Sequence, residues 1–216
     1  MARLKVAVLI SGRGSNLEAL MTACAAPGFP AKIGLVIANR ADAAGLVHAR
    51  KAGIATTVIP HRDYPDRTVF DATLTRALEA EDIELVCLAG FMRLLTAEFV
   101  AHWRNRLINI HPSLLPAFPG LDTHGRVLAQ GARFTGCTVH FVRAEMDNGP
   151  IIVQAAVPVH PDDTTETLAV RVLEAEHRIY PHTLRLIGEG RVRVAGERVE
   201  VVDAAAPQGL LVNPSD

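Results

Sequence analysis

Residues 5–25 read KVAVLISGRGSNLEALMTACA. An aliphatic, β-branched run from Lys5 to Ile10 enters the loop SGRGSN and then an apolar-periodic stretch from Leu17 to Ala25. That is the order strand, glycine-rich turn, helix. Such a turn presents unpaired backbone N–H groups at the positive end of a helix dipole, a geometry that receives phosphate. Gly12 and Gly14 let the backbone turn and approach an anion. Ser15 and Asn16 supply side-chain donors, one of them a helix cap. A nicotinamide dinucleotide fits badly. Its fingerprint needs a third glycine where this sequence has Leu17, and an acidic residue after the second strand where it has Asn39 and Arg40. No lysine closes the loop as in a P-loop. One phosphate is therefore the expected occupant, with a plain capped turn as the alternative.

The same alternation continues outward. Residues 33–38, 56–59 and 85–89 read as strands and residues 42–52 and 66–80 as helices, with Gly53 just past the end of the first. Thr96 caps a helix running to Trp103. The strands are continuously apolar, which predicts a parallel sheet covered by helices on both faces. The second half is less regular. Residues 107–111 form a strand ending in the proline-rich HPSLLPAFPG, and residues 127–130 belong to a short helix. Residues 138–142 and 151–159 alternate like antiparallel strands, residues 165–187 are helical, and residues 191–194 and 198–202 suggest a hairpin. The expected fold is a Rossmann-like, open, mostly parallel α/β sheet with an antiparallel addition in its C-terminal half. It is read as one domain over residues 1–202, with halves of about 1–100 and 101–202, and a loose tail over 203–216.

The chain has 216 residues, 49% hydrophobic and 21% charged, with a formal net charge of −1. That is an ordinary globular balance without the basic excess of a nucleic-acid binder. Cys24, Cys87 and Cys137 are an odd number without CxxC spacing, which argues against a disulfide framework and a zinc site. No His, Cys or carboxylate spacing forms a metal-ligand set. No apolar run reaches the roughly 18 residues of a membrane span, and no secretory leader opens the chain. A cytoplasmic protein with no membrane or nucleic-acid partner is expected, as a monomer or a homodimer.

Asn109 and His111 are two apart on a strand, so their side chains share a face. They lie at its C-terminal end, where open α/β sheets bind ligands. Asp147 lies in the turn-forming MDNGP. A carboxylate beside an imidazole favours imidazolium. An Asn amide and a charged His suit the oxyanion of acyl transfer to an amine, with the His, or a water held by Asp147, carrying the proton. The alternative is a structural Asn and His and a capping Asp. His124 and His140 are candidates for the same cavity. His48, His61, His102, His160 and His182 are read as surface or packing residues, and Arg93 as a cap or a ligand contact.

Six segments in order carry a resemblance: LISGRGSN (9–16), LAGFMRLL (88–95), NIHPSLLPAFPGLDTH (109–124), GCTVHFV (136–142), MDNGPII (146–152) and EHRIYP (176–181). Over about residues 4–190 the chain resembles glycinamide ribonucleotide formyltransferases. The resemblance implies a direct transfer of the formyl group of 10-formyltetrahydrofolate, a co-substrate, to the amine of phosphoribosylglycinamide in purine synthesis, without a metal. It implies a phosphate-binding first half and a catalytic, folate-binding second half. It implies that Gly14, Ser15 and Asn16 hold the substrate phosphate, and that Leu173, Glu174, Ala175 and Glu176 grip the substrate near its amine. Asn109, His111 and Asp147 become the catalytic trio. Met92, Arg93, Leu94 and Leu95 become one folate wall and Arg143, Ala144, Glu145, Met146 and Asp147 another, with Asn109 between them and Arg67 at the folate tail. Asp122, Gly125 and Asn148 depart from the family pattern. Methionyl-tRNA formyltransferases resemble the chain around NIHP but carry a further C-terminal domain, and formyltetrahydrofolate deformylases an N-terminal regulatory one.

Overall fold

The computed structural model describes residues 2–206 and 208–214. Met1 of the expected domain and Pro207, Ser215 and Asp216 of the expected tail lie outside them. The first half runs β1 (Leu4–Ile10), α1 (Ser15–Ala25), β2 (Ala31–Ala38), α2 (Gly45–Lys51), β3 (Thr56–Val58), α3 (Arg67–Glu79), β4 (Leu85–Leu88) and α4 (Ala97–His102). The second half runs β5 (Leu107–His111), α5 (Thr123–Ala129), β6 (Phe134–Phe141), β7 (Ile151–Pro158), α6 (Thr165–Gly188) and the hairpin β8 (Val192–Ala195) and β9 (Arg198–Val201).

Seven strands form one sheet in the order β3-β2-β1-β4-β5-β6-β7. The first five pair in parallel, and β6 runs antiparallel to both β5 and β7. This is the open, mostly parallel α/β sheet with an antiparallel addition that the sequence pattern implies. The order reverses between β1 and β4, so the loops after these strands diverge and open a crevice there.

Alternate residues of β1 feed two cores. Val6, Val8 and Ile10 pack with α1, α2 and α6 through Leu17, Leu20, Leu46, Leu168 and Leu184. Ala7 and Leu9 pack with α3 and α4 through Phe70, Leu74, Leu78, Phe99 and Trp103. The Tyr180 hydroxyl, fully buried on α6, donates to the Leu88 carbonyl at 2.9 Å and ties that helix to β4.

Local chemistry sets the element ends. The Asp66 and Thr96 side chains accept from Val69 and Phe99 N–H at the starts of α3 and α4, and Thr164 and Thr167 form a capping box on α6. Neither Ser15 nor Asn16 caps α1, contrary to expectation. Gly14 occupies the cap position at φ 80° with no side-chain bond. A Cβ on Gly14 would lie 2.7 Å from the Gly45 Cα, so the turn and the start of α2 touch backbone to backbone. Helix α2 starts three residues later than expected because Arg40 grips Asp42 through two hydrogen bonds in the preceding turn. Strand β6 starts four residues earlier, because Phe134–Cys137 continue the ladder with β7. Beyond β9, the described residues form no helix or strand. Asn213 there donates to the Val159 carbonyl at 2.9 Å.

Gly136 sits where β6 and β7 are tightest. A Cβ there would fall 1.9 Å from the Ala155 carbonyl oxygen. Gly136→Ala is expected to lower the unfolding free energy by about 1–3 kcal/mol, the usual range for overpacking. A denaturant midpoint equal to wild type would contradict the close approach.

Candidate active site

A cavity of about 730 Å³ opens at the sheet's reversal point. The loop after β1 lines one side through Gly12, Gly14 and Ser15, and the loop after β4 lines the other through Ala89, Met92 and Arg93. The Ser11 hydroxyl accepts the Met92 N–H at 2.8 Å and joins the two loops. His61, expected at the surface or in packing, lines this cavity beside Asn39. Arg13, Arg40, Arg62 and Arg93 give it a cationic wall.

Asn16 is buried, and its amide donates to Glu176 Oε2 at 2.7 Å. The anion loop and α6 are therefore one unit. Of the residues 173–176, Glu176 alone is buried, while Glu174 faces solvent and Leu173 and Ala175 are half-buried. Burial pushes the Glu176 carboxyl above the ordinary carboxylate range, and the Asn16 bond pulls the other way.

Asn109, His111 and Asp147 converge two strands from the anion loop, on β5 and on the loop after β6. Two strand spacings are about 10 Å. Ile108 and Ile110 point into the core with α6, so Asn109 and His111 emerge on the opposite face. The His111 ring is buried, with Nδ1 3.3 Å from Asp147 Oδ2 and Nε2 2.9 Å from the Phe118 carbonyl oxygen. Both partners are hydrogen-bond acceptors. Asp147 Oδ2 also accepts the Gly120 N–H at 2.8 Å. Its other oxygen approaches only His140 Nε2, at 3.9 Å, which leaves it free to hold a water.

His140 completes the group. Its Nδ1 donates to the Phe141 carbonyl at 3.0 Å, which fixes the tautomer. Its Nε2 lone pair then accepts from the Asn109 amide at 3.4 Å. Burial pushes the His140 ring below its ordinary range, outweighing the opposing pulls of the Phe141 carbonyl and Asp147. His124, half-buried on α5, is lowered by burial first, with His111 adding to that shift and Asp122 opposing it.

Sequence reasoning missed the backbone groups of Phe118 and Gly120. Their signal lay in AFPG, where Phe118 and Gly120 both adopt positive φ. It also missed the brace behind that loop. Thr138 donates to the Ser113 carbonyl at 2.6 Å and accepts the Leu115 N–H at 3.1 Å and a Gln154 N–H at 3.0 Å.

The rim is apolar. Met92, Leu94, Leu121 and Met146 are each more than half exposed, a surface that suits a flat aromatic ligand. Arg67 is exposed at the start of α3, outside the cavity lining. The Arg143 side chain turns away from the rim. It donates to Glu197 at 2.7 Å in the β8–β9 turn and to Asn105 at 3.0 Å. Ala144 and Glu145 are exposed.

The three departures have local explanations. A Cβ on Gly125 would lie 2.6 Å from Asp122 Oδ1, so the bare glycine gives the aspartate its room. The Asn148 amide donates to the Glu145 carboxylate. That bond closes the turn in which Asp147 sits at φ 53°.

The chain shares its sequence pattern with the Formyl transferase family. Its profile matches residues 4–184, and the chain belongs to that family. Within it, the chain is 54% identical over 192 residues to the trifunctional purine biosynthetic protein adenosine-3 of Gallus gallus, covering 89% of this chain and 19% of that protein. It thus spans about a fifth of that relative's length. It is 39% identical over 209 residues to a phosphoribosylglycinamide formyltransferase of Haemophilus influenzae, covering 97% of this chain and 99% of that one. The crystal structure of glycinamide ribonucleotide transformylase 1 from Symbiobacterium toebii superposes with a TM-score of 0.91 at 49% identity, covering 93% of this chain and 95% of that chain.

Glu176 generates a prediction with a definite sign. Because burial raises its folded-state pKa, its contribution to stability is full at low pH and falls as pH rises past the ordinary carboxylate range. Glu176→Gln keeps an acceptor for Asn16 and cannot ionise. Its Tm is expected to fall less than that of wild type between about pH 5 and pH 8. Parallel Tm–pH curves would contradict the burial argument.

Proposed function

We propose that this chain transfers the formyl group of 10-formyltetrahydrofolate to the amine of 5′-phosphoribosylglycinamide, in the cytoplasm, as a step of purine synthesis. One observation carries the reading: a glycine-rich loop tied to α6 by the Asn16–Glu176 bond, with a buried Asn-His-Asp cluster two strands away.

The phosphate sits on the N–H groups of Gly14, Ser15 and Asn16, and Glu176 meets the substrate near its amine. The folate lies between Met92–Leu95 and the 143–147 loop, supplying the formyl carbon, and the exposed apolar rim supports that fit. As the amine attacks that carbon, Asn109 donates to the developing oxyanion, and His111 turns its Nδ1–H from Asp147 toward it. His140 holds the Asn109 amide in register. A water on Asp147 Oδ1 takes the proton lost by the amine, and His111 delivers one to the departing folate nitrogen as its bond to the formyl carbon breaks. No covalent enzyme intermediate is needed. The three cysteines are buried and free, and burial pushes Cys24 up to about 11 and Cys137 up to about 12.

The test is formyl transfer from 10-formyltetrahydrofolate, followed by absorbance with and without the ribonucleotide. Release that requires the ribonucleotide supports the proposal. Release without acceptor would indicate a deformylase, and no release would overturn the reading. His111→Ala is expected to cut turnover by about 10²–10⁴-fold with the fold intact, and turnover equal to wild type would remove His111 from the mechanism. Ser15→Ala is expected to raise the ribonucleotide KM more than it lowers kcat, and a pure kcat defect would contradict a phosphate-gripping role.

A further inference from the structure

Residues 92–95 form no helix or strand, so no backbone ladder sets their shape. Two side chains bracket them instead. Ser11 accepts the Met92 N–H at one end. At the other, Asp71 Oδ2 accepts the Thr96 N–H at 2.6 Å. Asp71 lies on α3, one turn after Arg67 and on the same helix face. It is 3% exposed, and its second oxygen is buried without a partner. The Arg93 Nε is also buried without a partner.

A half-satisfied buried carboxylate costs stability, so packing alone gives no reason for an acid at this place. Burial pushes its carboxyl upward, while the Thr96 amide, Arg67 and Arg93 all pull toward the charged form. The acid thus lies near two cations, Arg67 at the surface and Arg93 in the cavity lining.

We propose that Asp71 is a positioning residue for the folate donor. It pins the far end of the Met92–Leu95 wall through the Thr96 N–H, and its charge holds Arg93 within that wall. The inference rests on the proposed formyl-transfer function.

The test is Asp71→Asn, which keeps shape and a Thr96 acceptor but removes the charge. Wild-type formyl transfer is measured first, and its absence would overturn the function reading itself. With wild type active, Asp71→Asn is expected to raise the folate KM about threefold to tenfold, the scale of a hydrogen bond to a charged group. The ribonucleotide KM and kcat are expected to stay within about twofold. In an Arg93→Ala background the same substitution is expected to add little, since the two act together. An unchanged folate KM in Asp71→Asn would overturn the proposal. So would an equal rise in both KM values, or an effect that persists in full without Arg93. A changed Tm with unchanged folate KM would reduce Asp71 to a structural role.

Discussion

The structure depends on the double burial of β1. Val6, Ala7, Val8, Leu9 and Ile10 are all 0% exposed, so the strand has no solvent face on which to carry chemistry. A strand sealed on both sides can offer function only at its end, where unpaired N–H groups begin the next helix. The neighbouring β4 is equally buried. The polar groups of the cavity therefore come from the loops that follow the strands, those after β2 and β3 included, and the sheet's reversal makes the β1 and β4 loops part.

The Asn-His-Asp cluster obeys a different rule. Strand β5 is the last parallel strand, and beyond it the sheet turns antiparallel. Asn109 stands opposite His140 and His111 opposite Thr138 in the ladder, so the polar residues of two strands share one face. The loop after β6 then folds back over that face. Gly149 allows this, because a Cβ there would meet the Phe141 carbonyl at 1.7 Å. The fold-back brings Asp147 to His111.

Much of this was readable beforehand. Continuous apolar runs bounded by glycine and caps located β1, β2, β4 and β5 well, because two-sided burial leaves a strong signal. The Asn-x-His spacing on β5 put two polar side chains on one face, because strand periodicity sets a face. What escaped was backbone and long-range chemistry. Phe118 and Gly120 act through their main chain, which residue type does not report. Asn16 meets Glu176 across 160 residues, and spacing carries no trace of that contact. Arg143 was assigned to the folate wall through resemblance, yet its guanidinium is drawn off by Glu197, a residue outside every matched segment.

The three cysteines have a consequence of their own. Cys24, Cys87 and Cys137 lie on α1, β4 and β6, all in the core shared with α6. Each thiol is held away from its reactive thiolate by burial. An alkylating reagent in bulk solvent can reach them only when the surrounding elements part. Labelling at these positions thus becomes a clock for opening of the chain: its rate reads the free energy of separating α1 and α6 from the sheet.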